Sequence, residues 1–152
     1  MSKLPSTTSA QIDIFRLLNE VGIIHQLSSS AFEKTLPHGL TVAQFSVLNH
    51  FTRLGDGSTP AQLASAFQVT RGTMTSTLKR LSDKGFVEIR PNDADGRSKR
   101  VYMTDGGRAA RADGITASTP HFARIVEALS AEERKMILPL LEKLRIWLDN
   151  HR

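Results

Sequence analysis

The chain has 152 residues, of which 39% are hydrophobic and 23% charged, a composition typical of a globular protein. It contains no cysteine, which excludes disulfides and thiolate metal sites, and no apolar run approaches the ~20 residues that a membrane-spanning helix needs. The formal net charge is +5, and residues 70–100 alone carry eight basic against four acidic side chains, a net +4. We therefore expect a cytoplasmic protein with no membrane partner, and the basic segment has the charge of a nucleic-acid footprint.

The first predicted helix covers residues 9–36 and follows a polar tail, residues 1–8, that we expect to be disordered. Apolar residues recur in this helix at spacings of three and four over several turns, the pattern of an amphipathic helix. They are Ile14, Leu17, Leu18, Val21, Ile24, Leu27, Ala31 and Phe32. Because this apolar face is wide, we expect one side to pack on its own domain and another on a second subunit.

Two shorter predicted helices follow, and each begins with a capping box, in which a threonine and a glutamine three residues later satisfy free backbone groups. Thr41 and Gln44 begin a helix that ends near residue 54. Thr59 and Gln62 begin the next one, which ends near residue 67. The turn between the two helices carries only a weak signal for a short strand.

The helix predicted over residues 71–84 has an unusual polar face. A tight turn precedes it, with Thr70 placed as its N-cap, and Met74, Leu78 and Leu81 share the face that should enter the core. The opposite face is small, hydroxylated and basic, which favours entry into a groove and hydrogen bonds to phosphates or base edges. For this helix taken alone, an ordinary solvated face is the alternative.

A predicted β-hairpin follows this helix-turn-helix. Residues 87–90 and 100–103 alternate between apolar and polar side chains and predict antiparallel strands buried on one side. The loop between them consists of turn-forming residues and has Arg97 near its tip. Such an arrangement is a winged helix, in which the second helix enters the major groove and the wing arginine can reach the adjacent minor groove.

The hairpin also carries a specific signature, Asp95-Gly96-Arg97 followed by five residues, then Met103-Thr104 and Gly107. Together with the preceding segment 78–87, this signature resembles the MarR family of bacterial transcription regulators. The flanking helices also fall where that family has them, so the resemblance covers nearly the whole chain.

The resemblance implies a mainly α fold with a small antiparallel β-wing. Residues 41–107 would form the winged helix-turn-helix DNA-binding domain. Residues 9–40 and 108–152, from both ends of the chain, would form a helical dimerisation region. The implied partners are double-stranded DNA and a second copy of the chain.

The predicted DNA-binding side chains lie on the recognition helix and on the wing. They are Arg71, Thr73, Thr75, Ser76, Lys79, Arg80, Arg97 and Lys99. Asp95 and Gly96 are predicted to shape the wing, because a carboxylate that faced phosphates would be repelled. We expect Asp95 to pair with a nearby arginine.

The C-terminal third is predicted to form two helical segments. Thr104 can cap a helix that runs to about residue 128, which Pro120 should kink or break. A capping box at Ser130 begins the last helix, which has Pro139 in its interior and should bend there. Neither amphipathic segment has an evident core of its own to cover, which predicts an intersubunit layer and a homodimer.

Catalytic and metal-binding patterns are absent from the sequence. The histidines are scattered without ligand spacing, and nothing aligns a catalytic triad or a phosphate-binding loop, so we expect neither an enzyme nor a cofactor. In the MarR family, small aromatic anions bind in a cleft between the lobes, and His25, His38 and His50 are candidates to line it. The alternative is that these are surface or interface histidines.

We therefore expect a dimeric, non-enzymatic transcription regulator. The most direct form is a repressor that a small aromatic or anionic ligand releases from a pseudo-palindromic operator. One alternative is a winged helix used for protein or RNA contacts, which would need a hydrophobic or acidic recognition face. A metal-responsive regulator is the other.

Overall fold

The computed structural model describes residues 7–92, 96 and 98–151, and within them the chain forms helices and one small sheet. The helices are α1 (Ser9–Glu33), α2 (Val42–Leu54), α3 (Pro60–Ala66), α4 (Arg71–Asp83), α5 (Asp105–Ala117), α6 (Thr119–Val126) and α7 (Ala131–Asn150). The strands are β1 (Val87–Pro91) and β2 (Lys99–Met103), which pair antiparallel. The mainly helical fold with a small antiparallel sheet confirms the predicted fold class.

The chain divides into two compact units, residues 1–117 and residues 118–152. In the first unit, α2, α3, α4, α5 and the hairpin surround a single hydrophobic core. Its largest completely buried apolar side chains are Val47, Leu48, Leu63, Leu78, Leu81 and Val101. Because every one of these elements contributes to the same core, the helix-turn-helix and the hairpin are held as one body.

The helices begin at the caps that the sequence predicts. The backbone N–H of Gln44 donates to Oγ1 of Thr41 over 3.2 Å, and the backbone N–H of Gln62 donates to Oγ1 of Thr59 over the same distance. In both boxes the glutamine side chain accepts from the threonine backbone in return. A further box, which the sequence analysis did not identify, begins α1 at Thr8.

Helix α1 departs from its prediction in two respects. It ends at Glu33 rather than at residue 36, because the chain turns after Lys34 and directs Leu36 onto the core. No residue of α1 is buried within the described part of the chain. It contacts its own domain near its C-terminal end, where the rings of Phe32 and Phe45 meet edge to face with centroids 5.1 Å apart.

The weak strand signal between α2 and α3 corresponds to a single bridge. Ser58 pairs with Val101 of β2, whose backbone N–H donates to the Ser58 carbonyl over 3.0 Å. The backbone N–H of Gly57 donates to the Val101 carbonyl over 2.7 Å. This bridge attaches the segment before α3 to the hairpin.

The second unit contains α6 and α7. The predicted helix over residues 105–128 is broken at Ser118, because Pro120 has no N–H for a helical hydrogen bond and begins a new helix near its N-terminus. Helix α7 continues through Pro139 as one helix. Large apolar residues of α7 are exposed, among them Met136 (64%) and Leu140 (65%).

Over the residues that the structure describes, no helix combines the length and the apolar character needed to cross a bilayer.

Candidate nucleic-acid interface

The turn between α3 and α4 fixes the angle at which the two helices meet. Gln68 adopts a left-handed conformation with φ of 53°, and its side-chain amide donates to the Ser65 carbonyl over 2.8 Å. The Val69 backbone N–H returns to the Ala64 carbonyl over 3.0 Å, and α4 then begins at its predicted cap, Thr70. These local hydrogen bonds fix the course of the short turn, which gives α4 a defined direction.

Helix α4 has two chemically distinct faces. Met74, Leu78 and Leu81 are buried, as predicted. The predicted contact residues of this helix are all exposed on the other side: Arg71, Thr73, Thr75, Ser76, Lys79 and Arg80. An exposed helix with small hydroxylated residues near its N-terminus and basic residues along its length has the geometry required to enter a DNA groove.

The hydroxyl groups at the start of α4 are already organised by hydrogen bonds. Oγ1 of Thr70 and Oγ1 of Thr73 lie 2.9 Å apart, and the Thr77 hydroxyl donates to the Thr73 carbonyl over 3.1 Å. Thr73, Ser76 and Arg80 line a shallow groove between α4 and the start of α2. A ligand that enters this groove therefore contacts the hydroxyl groups of Thr73 and Ser76 and the guanidinium of Arg80.

The basic residues of α4 are not equivalent. Nζ of Lys79 lies 2.8 Å from Oδ2 of Asp83, one turn further along the helix. Arg71 and Arg80 form no ion pair with any residue that the structure describes. Although exposed i,i+4 pairs contribute only a few tenths of a kcal/mol, Asp83 also places a negative charge where phosphates would approach. We therefore expect a phosphate contact of Lys79 to be weaker than the sequence analysis predicts.

Replacement of Asp83 by asparagine should strengthen DNA binding. Because Lys79 is then released and a repulsive charge removed, we expect the affinity for all duplexes to rise roughly two- to five-fold and the salt slope to steepen by about one unit. Fluorescence anisotropy over a range of salt concentrations measures both quantities. Glu20→Gln on α1 makes the same charge change away from α4 and should leave the slope unaltered. Unchanged or weaker binding by Asp83→Asn would contradict this role of the Lys79–Asp83 pair.

The base of the wing is anchored to the helix-turn-helix by backbone contacts. The backbone N–H of Met103 donates to Oδ2 of Asp56 over 2.9 Å, next to the bridge between Ser58 and Val101. Across the hairpin, Pro91 is opposite Lys99 and Arg90 is opposite Arg100. These contacts hold both strands beside the segment that leads into α3.

Arg100 is a functional candidate that the sequence analysis missed. Its Nη1 donates to the Gly57 carbonyl over 2.7 Å, and its Nε donates to Oδ1 of Asn92 over 3.3 Å. The sequence shows only a second basic residue beside Lys99 in a predicted strand. The partner 43 positions earlier becomes visible only in the fold.

Most of the wing tip, including Asp95 and Arg97, lies outside the described residues. Their predicted roles, and the predicted pairing of Asp95 with an arginine, therefore stay predictions. Gly96 is exposed with φ of 62°, and its N–H donates to the Asn92 carbonyl over 2.9 Å. Since only glycine adopts this conformation without a steric cost, the geometry is consistent with the predicted wing-shaping role. Lys99 is exposed at the start of β2.

The three candidate histidines do not form one site. The His25 ring contacts the Ser29 hydroxyl at 3.2 Å on α1. Nε2 of His38 lies 2.8 Å from Oδ2 of Asp113 on α5. His50 packs beside Phe67, with ring centroids 5.2 Å apart.

His50 lines an open pocket on the surface of α2. The other side chains of this pocket are Phe32, Phe45, Ser46, Asn49, Arg53, Ala66 and Phe67. Burial, and secondarily the positive charge of Arg53, lower the pKa of His50 below its ordinary value. Burial therefore favours the neutral imidazole of His50, and the guanidinium of Arg53 supplies the positive charge of this pocket.

The chain matches a family model described as the MarR family over residues 38–98. It is 32% identical over 130 residues to the HTH-type transcriptional repressor Rv2887 of Mycobacterium tuberculosis, an alignment that covers 84% of this chain and 90% of that protein. It is also 32% identical over 96 residues to the transcriptional activatory protein BadR of Rhodopseudomonas palustris, which covers 62% of this chain and about half (53%) of that relative.

Among solved structures, the fold is similar to that of a MarR mutant from E. coli complexed with operator DNA. The two share 30% sequence identity with a TM-score of 0.70, over 87% of this chain and 95% of that one. These relatives are transcription regulators rather than enzymes, which confirms both the predicted family and the predicted non-enzymatic role. The chain belongs to the MarR family of winged-helix transcription regulators.

Proposed function

We propose that this protein is a homodimeric repressor that inserts α4 into the major groove of a pseudo-palindromic operator. The observation that carries the proposal is the division of α4 into a buried apolar face and an exposed hydroxylated and basic face. The related MarR structure with operator DNA supports it. Arg97 and Lys99 of the wing would reach the adjacent minor groove and backbone.

Within α4, the proposed roles follow from side-chain length and hydrogen-bonding capacity. Thr73 and Ser76, near the N-terminus, are short enough to bring the helix close to base edges, and Thr75 flanks them. Arg71 and Arg80 are long, and their guanidinium groups form no ion pair with the described residues, which suits contacts to phosphates and guanine. Lys79, paired with Asp83, would contribute a weaker phosphate contact.

Selection of bound sequences from random duplex DNA tests the proposal. A repeated motif should emerge, and Thr73→Ala or Ser76→Ala should change the preference at particular base pairs. Lys79→Ala should instead weaken binding to every duplex similarly. If selection enriches no motif, or if the three substitutions cause the same uniform loss, α4 is not the element that recognises the sequence.

The proposed dimer rests on apolar surface left exposed in both units. Helix α1 exposes large apolar side chains along its length, for example Phe15 (69%) and Leu27 (72%). Helices α6 and α7 likewise expose Phe122, Ile125 and Trp147. Single monomers rarely expose contiguous apolar surface on this scale, which marks a protein interface. We propose that residues 9–40 and 108–152 form this interface and that residues 41–107 form the DNA-binding domain.

In solution, the protein is expected to have twice the chain mass of 16.8 kDa. Light scattering at micromolar concentration measures this mass, and a monomer there would contradict the proposal. Ile24→Glu places a charge on the apolar side of α1 and should yield monomers, whereas Glu20→Gln on the same helix should remain dimeric. Because a two-fold dimer binds two half-sites, the selected motif should be a pseudo-palindrome with half-sites about one helical turn apart.

We propose that the effector is a small aromatic anion and that it binds the pocket around His50. Arg53 supplies a cation in this pocket, and the rings of Phe32 and Phe67 supply an apolar wall. The side chain of Asn49 is held in place because Nε of Arg111 donates to Oδ1 of Asn49 over 3.0 Å. An aromatic carboxylate matches this combination of charge and ring surface.

The effector proposal predicts that benzoate or a hydroxybenzoate weakens binding to the selected duplex. Arg53→Gln should bind the duplex as the wild type does but lose most of the response, because the carboxylate then has no cationic partner. Arg16→Gln on α1 is a control for the loss of one positive charge. A response that survives Arg53→Gln would exclude this pocket, and no response to any aromatic carboxylate would exclude this class of effector.

The sign of regulation depends on where the operator lies. Rv2887 is named a repressor and BadR an activatory protein, so both signs occur among relatives. Repression predicts that transcription from the promoter at the selected motif rises when the protein is removed.

The two alternatives from the sequence are not favoured. A winged helix used for protein contacts would require a hydrophobic or acidic face on α4, whereas its exposed face is hydroxylated and basic. Against RNA as the ligand, the related MarR structure is complexed with operator DNA. For a metal-responsive regulator, the described residues contain no group of three or more His, Asp and Glu side chains placed to hold an ion.

A further inference from the structure

We propose that Arg100 is a positioning residue that sets the angle of the wing relative to the recognition helix. The proposal rests on the proposed function in DNA binding. Arg100 is on β2, yet its guanidinium reaches both the turn before α3 and the base of the wing loop. It thus connects three segments whose relative placement decides whether α4 and the wing can engage one duplex together.

On the helix-turn-helix side, Arg100 contacts the backbone of Gly57, which is itself hydrogen-bonded to β2. Nη1 of Arg100 donates to the Gly57 carbonyl over 2.7 Å, and the Gly57 N–H donates to the Val101 carbonyl over 2.7 Å. Gly57 lies two residues before Thr59, the N-cap of α3. A displacement of the hairpin relative to α3 would therefore break the Arg100 bond.

The contact on the wing side is with Asn92, which closes the loop. The Asn92 backbone N–H donates to the Ser98 carbonyl over 2.8 Å, and its side-chain Nδ2 donates to the Ser98 hydroxyl over 2.9 Å. The Asn92 carbonyl accepts the Gly96 N–H. Because Nε of Arg100 donates to Oδ1 of the same asparagine over 3.3 Å, the base of the loop that carries Arg97 is attached to the helix-turn-helix.

Arginine is suited to this role because its planar guanidinium donates to two acceptors in fixed directions, which the single ammonium of lysine cannot do. Arg90 provides the contrast. It lies opposite Arg100 on β1, pairs with Oε2 of Glu88 at 2.7 Å and lies 4.8 Å from the centre of the Tyr102 ring. These partners of Arg90 are on the hairpin itself, so the hairpin keeps them when it moves as a unit.

The consequence is that Arg100 acts on DNA through the wing. Without its two bonds, the hairpin retains its strand pairing and its place on the core, but the base of the wing loop is no longer tied to the segment before α3 and can change its angle to α4. Loss of the Arg100 bonds then lowers the DNA affinity by weakening the contact made by Arg97. The same loss has no effect on affinity when Arg97 is absent. A residue that touched DNA directly would instead cost the same in both backgrounds.

The test is a double-mutant cycle in which Arg100 and its control are changed to lysine, so that their charge is conserved. Arg100→Lys and, as the matched control, Arg90→Lys are each made in the wild-type and in the Arg97→Ala background. The probe is the duplex that the wild-type protein enriches from random DNA. We expect Arg100→Lys to weaken binding roughly three- to ten-fold in the wild type and hardly at all in Arg97→Ala. Arg90→Lys should change binding little in either background. Equal losses in both backgrounds, or no loss in the wild type, would overturn the proposal.

A second measurement requires no DNA. Amide hydrogen exchange at Asn92 and Gly96 should be faster in Arg100→Lys than in the wild type, and unchanged in Arg90→Lys. If the wild type enriches no duplex, the proposed function fails, and exchange alone then decides whether Arg100 holds the wing. Unchanged exchange at both amides would overturn the positioning role whatever the DNA results.

Discussion

Replacement of Gly107 by alanine is expected to destabilise the folded chain by about 2–3 kcal/mol, because the added methyl group has no space. A Cβ at this position would lie 2.1 Å from the Phe86 carbonyl oxygen and 2.9 Å from Cγ of Met103. The carbonyl cannot easily turn away, since it accepts the Thr104 backbone N–H over 3.2 Å. The substitution therefore has to separate α5 from the start of β1.

Urea unfolding at fixed protein concentration measures this loss. Gly72→Ala is the matched control, since it is also near the start of a helix but the nearest atom, Oγ1 of Thr70, is 4.0 Å from the added Cβ. It should be neutral or stabilise the fold by about 0.5–1 kcal/mol, because alanine is a better helix former than glycine. A Gly107→Ala protein as stable as the wild type would show that α5 can shift without cost.

Gly107 also illustrates what the sequence alone can predict. The spacing of the wing signature identifies this glycine, but not its steric reason, which is the approach of another backbone segment. Local features were predicted well because their causes are local. The capping boxes at Thr41 and Thr59 and the break near Pro120 each depend on a few neighbouring residues.

Contacts between distant segments were not predictable in the same way. The bond from Arg100 to Gly57 and the pair of His38 with Asp113 join residues 43 and 75 positions apart. Neither has a periodic or spacing pattern that would reveal it. The pair of Lys79 with Asp83 is different, because its i,i+4 spacing on a helix is present in the sequence, although the sequence analysis did not identify the pair.

The apolar face of α1 shows a third situation. Its periodicity predicted the helix, but not which surface covers it, since the pattern is the same whether the partner is the same chain or another. Within the described residues this face stays exposed as far as Leu27, and α1 contacts the domain near its C-terminal end. The periodicity of α1 therefore predicts its secondary structure, whereas the proposal of a dimer depends on the exposure of its apolar side chains.

Arg97→Ala is expected to cost about 1–3 kcal/mol of DNA-binding free energy, or roughly 5- to 150-fold in affinity, with little change in stability. The sequence places this arginine in a hairpin loop of polar turn formers, after Asp95 and Gly96, where a core role is excluded. A guanidinium inserted in a narrow A·T-rich minor groove meets the most negative potential along the duplex. An exposed loop side chain contributes to folding only within about ±0.5 kcal/mol.

The binding site can be varied together with the protein to test this contact. If A·T pairs flanking the selected motif are replaced by G·C pairs, the guanine amino group obstructs the minor groove, and the wild-type protein should lose affinity. The affinity of Arg97→Ala should be the same for both duplexes. Lys99→Ala, which removes the same charge from the same hairpin, should weaken binding to both duplexes equally, as a phosphate contact does. An Arg97→Ala protein that still discriminates between the two duplexes would show that another side chain contacts the minor groove. If Arg97→Ala folds normally and binds DNA with unchanged affinity, the wing does not reach DNA.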